Sequence, residues 1–355
     1  MPERPEADVV RRVPMTAPQS RTDAPPPAGT DLPERSYPGF FSSAKSFALP
    51  AGRQFGPEGV RGYYIDLRVK AEAPVWPHSS LGQLEDRLWV RVHQWGLGAY
   101  ERYLAGEGEQ WLRNAMDVGR YALEQQVRGG PRDGLWLNRL PYTKTFQLPA
   151  GWPSAMAQGE GASLLARLHL ATGEERWADA ARRAVAAMRL ASSAGGVQAR
   201  LGDGAWPEEY PTDPPSYVLN GGIFALWGLY DVGEALGDQD LAHEFEQGAG
   251  TLAANLHRWD TGYWSRYDLF PHPVMNVASS FYHALHTSQL EAMQVIAPRP
   301  EFESAARRFA AYAGRRTNSG RAFARKVLFR LAVPRNEVLG RPMRRLAARR
   351  QSHAS

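Results

Sequence analysis

Two carboxylates and a phenol stand side by side in the stretch WPEEYPTDPPSYVLNGG, residues 206–222: Glu208, Glu209 and Tyr210. Each can give or take a proton, and prolines at 207, 211, 214 and 215 hold them in a loop. The apolar run that follows reads as a helix opening near Ser216, a residue type favoured at N-caps. Reactive groups therefore sit at a helix mouth. A phenol titrates near 10 in water, so acting as a base requires neighbours that favour phenolate, while acting as an acid requires none. A second group lies in FYHALHTSQL, residues 281–290. There His283 and His286 are three apart with Gln289 three further on, one face of a helix. Two histidines begin a zinc site, but no third ligand is signposted. The alternatives are hydrogen bonding to a ligand or a satisfied core histidine.

Several familiar chemistries are excluded. The sequence has no GK[ST] phosphate loop, no G-x-G-x-x-G after a strand and no G-x-S-x-G, and it signposts neither a cofactor nor a nucleic-acid partner. With no cysteine among 355 residues, disulfides and thiolate metal sites are out of reach. No apolar run approaches the roughly 18 residues of a membrane span, and MTAPQSRTDAPPP comes soon after Arg11 and Arg12, where a secretory signal needs apolar residues. A cytoplasmic protein is expected. The net charge of +5 is uneven: from Glu301 onward 13 Arg and one Lys face three Glu, leaving the rest mildly acidic. A basic tail suits a polyanion, a polysaccharide-assembly complex or the inner membrane face; a solvated Arg-rich helix is the plainer alternative.

The elements that must position these groups repeat. LAGEGEQWLRNAM, LATGEERWADAAR, ALGDQDLAHEFEQ and IAPRPEFESAARR each pair a turn with a helix start, with anchors Trp111, Trp177, Leu241 and Phe302 about every 61 to 66 residues. Interleaved with them, DGLWLNR, GGVQARL and TGYWSRYD open on Gly134, Gly196 and Gly262 and read as return ribbons. Helices before the anchors are apolar nearly all round and belong to an inner ring; those after have one charged face. The fold class expected is all-α, an (α/α) toroid with short β-hairpins, incomplete if the four visible pairs are all there are. Gln94, Gln158, Asn220 and His283 fall at similar distances before the anchors and should share one level of the ring. Tyr210 and Tyr267, on the ribbon loops, should overhang the same cavity.

Residues 1–38, rich in Pro, Arg, Asp and Glu, read as a disordered leader. A toroid domain over 39–315 follows, with a lead-in to about 78 that holds one strand candidate, residues 62–69, and Ser80 with Gln83 as a capping box for the first long helix. Residues 316–355 form a basic tail, helical or disordered.

GWPSAMAQGEG (151–161), EEYPTDPPSYVLNGG and FYHALHTSQL, in this order, resemble the D-glucuronyl C5-epimerase family, whose C-terminal catalytic domain carries GW-SAMAQG, EEYPT-P-S-VLNG and Y-H-x-x-H-x-x-QL stretches. The resemblance implies an isomerase that converts D-glucuronate to L-iduronate within a heparosan- or heparan-like polysaccharide. It places the catalytic roles on Glu209, Tyr210, Tyr267 and Tyr282 and implies no metal. C5 epimerisation removes a proton beside a carboxylate and returns one from the opposite face, so acid/base groups must flank the ring and a cationic or hydrogen-bonding patch must stabilise the enolate. Gln94, Trp152, Gln158, Asn220, Arg266, His283, His286 and Gln289 are the candidate substrate contacts. Trp152 is either a sugar platform or an indole packed beside a helix-opening Pro153. Gln158 and Asn220 serve either sugar hydroxyls or neighbouring loops. The chain departs from the family at Phe270, where the family has arginine in a Y-D-L-R pattern; Arg266, Arg139 and Lys144 are the candidate replacements. Two alternatives stay open: a toroid uronate lyase, whose enolate expels the C4 substituent, and a non-catalytic acidic-glycan binder or scaffold. A homodimer also stays open.

Overall fold

The computed structural model describes residues 62–71 and 88–334. The expected leader, the pair Ser80 and Gln83, and the chain beyond 334 lie outside these residues. Among the described residues, four helical hairpins follow one another: α1 (Trp89–Leu104) with α2 (Gln110–Gln125), α3 (Ala155–Thr172) with α4 (Glu175–Ala187), α5 (Leu219–Leu236) with α6 (Gln239–Asn255), and α7 (Ser280–Ile296) with α8 (Pro300–Ala313). A further helix, α9 (Arg316–Ala332), packs on α8.

The repeat read in the sequence sets this arrangement. Trp111, Trp177, Leu241 and Phe302 each occupy the second or third position of an outer helix and are buried, so every pair is pinned at the same point of its turn. Inner helices have almost no polar face: α3 is buried from Ala155 through Leu168 and α5 from Leu219 through Leu229. Such helices must be covered all round. Here α3 packs between α1 and α5, and α5 also meets α7, while each outer helix covers its own partner. The fold is an α/α toroid built from these pairs. Glycine lets α3 and α5 approach: a Cβ on Gly159 would lie 2.4 Å from the Phe224 carbonyl oxygen, and one on Gly228 2.4 Å from the Gly159 Cα.

Helix ends follow ordinary capping chemistry. Ser154 accepts from Ala157 N–H at the start of α3, Ser279 from Tyr282 N–H at α7, and Asp238 from Asp240 and Leu241 at α6. The returns are short: β1 (Leu137–Asn138) pairs antiparallel with β2 (Trp152–Pro153), and β3 (Gln198–Leu201) with β4 (Gly204–Pro207). After α6 the third return makes only isolated bridges, Asp260 with Ser265 and Arg266 with Val277.

Three local expectations are corrected. Residues 62–69 form no strand; they hold one bridge residue, Ile65, and run into a 3₁₀ turn over Arg68–Lys70. Ser216 does not cap α5, which begins at Leu219 behind Val218 with no side-chain cap; the Glu208 carboxylate has claimed the serine instead. Pro153 lies in β2 and Ser154 opens the helix, so Trp152 is a ribbon residue.

The lead-in is tied to the inner ring by a buried ion pair. Arg167 of α3 meets Asp231 of α5 at 2.5 Å with both side chains fully buried, donates to the Gly62 carbonyl at 2.6 Å, and Asp231 also accepts from the Tyr64 hydroxyl at 2.8 Å. The desolvation cost of both ions is offset by these extra partners. The consequence is positional: with its start anchored there, the lead-in brings Ile65, Leu67 and Lys70 to the wall of a cleft.

Candidate active site

That cleft has a volume of 220 Å³. Its walls come from the N-terminal turns of all four inner helices: Val90, Arg91 and Gln94 of α1, Met156 of α3, Asn220 and Phe224 of α5, Phe281, Tyr282 and Leu285 of α7. Four helix N-termini converge on this space, and each carries a partial positive charge. Glu209 and Tyr210 enter from the loop after β4, Trp152 and Ser154 from β2 and its exit, and Lys70 from the lead-in.

The loop is held by Glu208. Its carboxylate accepts from Ser216 N–H at 2.8 Å, from the Ser216 hydroxyl and from Tyr217 N–H at 3.0 Å. Tyr217, at φ 49, is in the left-handed region, a strained conformation for an aromatic residue that these contacts sustain. Burial raises the Glu208 carboxyl to about 7 against the pull of those donors. Glu208 is thus a loop clasp, and its neighbour is left for the cleft. Glu209 packs against Gly221 so closely that a Cβ there would lie 2.4 Å from its Cβ and Oε2. Burial first, then Glu208 and Asp268, raise the Glu209 carboxyl to about 8, although the Tyr210 hydroxyl hydrogen-bonds to it. Its Oε2 is buried with no partner.

Tyr210 lies in an aromatic nest. Its ring is 4.8 Å from Tyr142, 4.9 Å from Phe146 and 5.7 Å from Trp152, centroid to centroid. Tyr267 meets Tyr282 edge-on at 4.9 Å. Burial, reinforced by the Glu209 charge, holds the Tyr210 and Tyr267 phenols well above the ordinary tyrosine range, so both are protonated in the resting protein. The four expected catalytic residues are brought together: Glu209, Tyr210 and Tyr282 line the cleft directly, and Tyr267 stands behind Tyr282.

The expected substrate contacts divide. Gln94, Trp152 and Asn220 line the cleft, and the Asn220 Oδ1 is buried without a partner; an unsatisfied polar atom on a cleft wall is a mark of ligand contact. Gln289 donates to the Asn220 carbonyl at 3.1 Å and sits one layer behind. Gln158 does not reach the cleft: its oxygen accepts from Trp136 N–H and its nitrogen donates to Gly134 and Ala184 carbonyls, fastening β1 and α4 to α3. His283 is likewise structural. Its Nδ1 accepts from Ser265 N–H, its Nε2 pairs with the Phe309 carbonyl, and its ring stacks on Trp264 at 3.8 Å. His286 shares the Ser265 hydroxyl at 2.9 Å, and burial with His283 beside it depresses its basicity. Arg266 lines no part of the cleft and is half-buried beside Asp268 and Arg258.

Phe270 packs on Phe146 and His272 at 5.6 and 4.8 Å, in a separate cavity under α9. Lys144 lines that second cavity and Arg139 reaches out to Gln125. None of the three expected replacement cations faces the cleft; Lys70 and Arg91 do. Sequence reasoning also missed Tyr142 and Glu160. Glu160 accepts from Gln94 at 2.8 Å, burial keeps its carboxyl well above the usual range, and its other oxygen is buried without a partner. Gln94 is placed by the repeat, but Lys70 precedes the recognisable motifs and Glu160 sits inside a helical glycine run, so only the fold brings these two to it. A larger cavity of 1060 Å³ between β3, β4 and α6 contains none of the candidate acid/base groups.

An α/α toroid whose inner-helix mouths hold phenols, a carboxyl and cations is a fold and site suited to proton transfer on an anionic ligand. Comparison with known proteins narrows the class. Residues 132–311 match the family described as D-glucuronyl C5-epimerase C-terminus, and the chain belongs to that family. It is 35% identical over 182 residues to a D-glucuronyl C5-epimerase of Caenorhabditis elegans, covering 47% of this chain and 29% of that protein. An uncharacterized protein of Methanocaldococcus jannaschii is 27% identical over 194 residues, 52% of this chain and 62% of that one. The chain therefore spans less than two thirds of either relative. Among solved structures, an unsaturated glucuronyl hydrolase from Bacillus sp. GL1 aligns with a TM-score of 0.44 and 15% identity, covering 77% of this chain and 69% of that one.

Proposed function

We propose that this protein is a polysaccharide uronate C5-epimerase, converting D-glucuronate to L-iduronate residues in a heparosan-like chain. The observation that supports it most is the meeting of Glu209, Tyr210 and Tyr282 with Lys70 and Arg91 around one cleft. In this reading the uronate ring enters with its carboxylate toward Lys70, Arg91 and the helix N-termini. The C5–H bond breaks, its electron pair moves into the carboxylate to give a dianionic enolate, and the cations and dipoles stabilise the added charge. Tyr210 takes the C5 proton while its own hydroxyl proton passes to the Glu209 carboxylate, which already accepts that hydrogen bond. Tyr282, backed by Tyr267, delivers a proton to the other face and completes the inversion. Asn220 and Gln94 hold ring hydroxyls. Reversal uses the same groups in opposite roles.

The test is incubation with a glucuronate polymer in deuterated water. Incorporation of deuterium at C5 with appearance of iduronate, and no ultraviolet-absorbing unsaturated product, supports the reading. Unsaturated ends identify a lyase instead, and an unlabelled polymer identifies a binder.

A further inference from the structure

α9 carries apolar residues on two sides, and one of these sides faces away from the protein. Ala322 and Phe329 are buried against the body, Lys326 donates to the Asn276 side chain and the Val277 carbonyl at 2.7 and 2.8 Å, and Arg330 reaches the Thr145 hydroxyl at 3.1 Å. The helix is therefore docked, with one fixed side outward. On that side lie Phe323, Val327, Leu328 and Leu331, exposed by 73, 43, 53 and 63%. With Ala324 they occupy roughly 140° of the helix circumference by the 3.6-residue period. Arg330 borders this strip on one edge and Arg321 on the other, Arg316 lies in line with it at the start of the helix, and the helix contains no acidic residue. Arg321 is stacked 3.8 Å over the Tyr263 ring, which fixes its position at the rim.

We propose that α9 is an interfacial membrane-binding helix that lies flat on an anionic lipid surface, inserting Phe323, Val327, Leu328 and Leu331 among the acyl chains while the flanking arginines meet headgroup phosphates. A lipid surface is the occupant that satisfies both halves of the pattern: an apolar strip needs hydrocarbon, and arginines at its two edges and its leading end need negative charge at the boundary. A second copy would bring arginines against arginines. The chain's own residues 335–355 carry six arginines against one glutamate, so they repel the strip's borders and add to the attraction for the same surface. The outer strip has no part in the cleft, so this inference stands apart from the proposed reaction.

Co-sedimentation of the full chain with phosphatidylcholine vesicles, with and without phosphatidylglycerol, tests it against the double variant Val327→Asp/Leu331→Asp. Circular dichroism establishes that the variant is folded, since both positions are exposed. The expected result is binding to the anionic vesicles alone, weakened by salt, and reduced more than about tenfold in the double variant. Equal binding to neutral vesicles, undiminished binding by the variant, or a dimer that the variant dissolves in place of any vesicle binding would each overturn the proposal. So would loss of affinity for a soluble uronate polymer in the variant with vesicles unbound throughout.

Discussion

In the proposed reaction, Glu209 is the residue on which the proton chemistry turns. Its carboxyl is raised to about 8, so at neutral pH most of it is protonated and unable to receive the Tyr210 proton. The expected consequence is a kcat/KM for C5 exchange that rises with pH through about 8, and whose rise disappears in Glu209→Gln along with most activity; a flat profile in the parent protein would contradict the relay. The same burial sets a stability trend. Glu209 and Glu160 hold protons in the folded chain at pH values where the unfolded chain has lost them, so their contribution is present below the ordinary carboxylate range and is lost as pH rises through the folded values. Thermal melts should show Glu209→Gln gaining roughly 1–4 kcal/mol relative to the parent near pH 8 and little near pH 4, with Glu160→Gln moving in the same direction. Equal gains at both pH values would point to packing instead. Among the cations, Lys70→Met should cost about ten- to a thousandfold in kcat/KM while Lys70→Arg retains most of it. An unchanged Lys70→Met enzyme would remove the lead-in from the site. Motif residues made Glu209, Tyr210 and Tyr282 legible before any coordinates, because reactive types crowd there. Lys70, Tyr142 and Glu160 carried no such local signal.

Elements deliver these residues through contacts that leave little slack. Gly221, at the first turn of α5, is where loop and helix touch, and a Cβ would lie 2.4 Å from the Glu209 carboxylate. Gly221→Ala should therefore push Glu209 out of register, lowering exchange by about a hundredfold while leaving the melting transition largely intact; full activity would show the contact to be dispensable. The Arg167–Asp231 pair acts at the next level, holding the lead-in across α3 and α5. Asp231→Ala leaves a buried guanidinium unpaired and should cost about 3–5 kcal/mol in denaturant unfolding, and a loss below about 1 kcal/mol would mean the lead-in is held by packing alone. The readings that failed belong to this scale. Ser216 has the right type for an N-cap, yet a buried carboxylate eight residues away outcompeted the helix for it. His283 and Gln158 lie at the spacing of cleft residues, but on buried helices the ribbons needed their hydrogen bonds.

The whole molecule was the most legible of the three scales. A recurrence of apolar anchors every 61 to 66 residues, and inner helices without a polar face, leave few arrangements besides concentric pairs, and the structure places all four anchors at equivalent turns. What periodicity does not encode is that the lead-in brings Lys70 to the cleft at the inner-helix N-termini, and that α9 docks with its apolar strip outward. Among the described residues no helix is long and apolar enough to cross a membrane. The central claim is that phenols borne on a loop and on α7 handle the two proton transfers in one cleft. Mass-spectrometric measurement of C5 deuterium uptake into a glucuronate polymer by Tyr210→Phe and Tyr282→Phe addresses it most directly. Each variant is expected to fold normally and to lose about 10²- to 10⁴-fold in exchange rate; exchange retained at the parent rate in both would contradict the account.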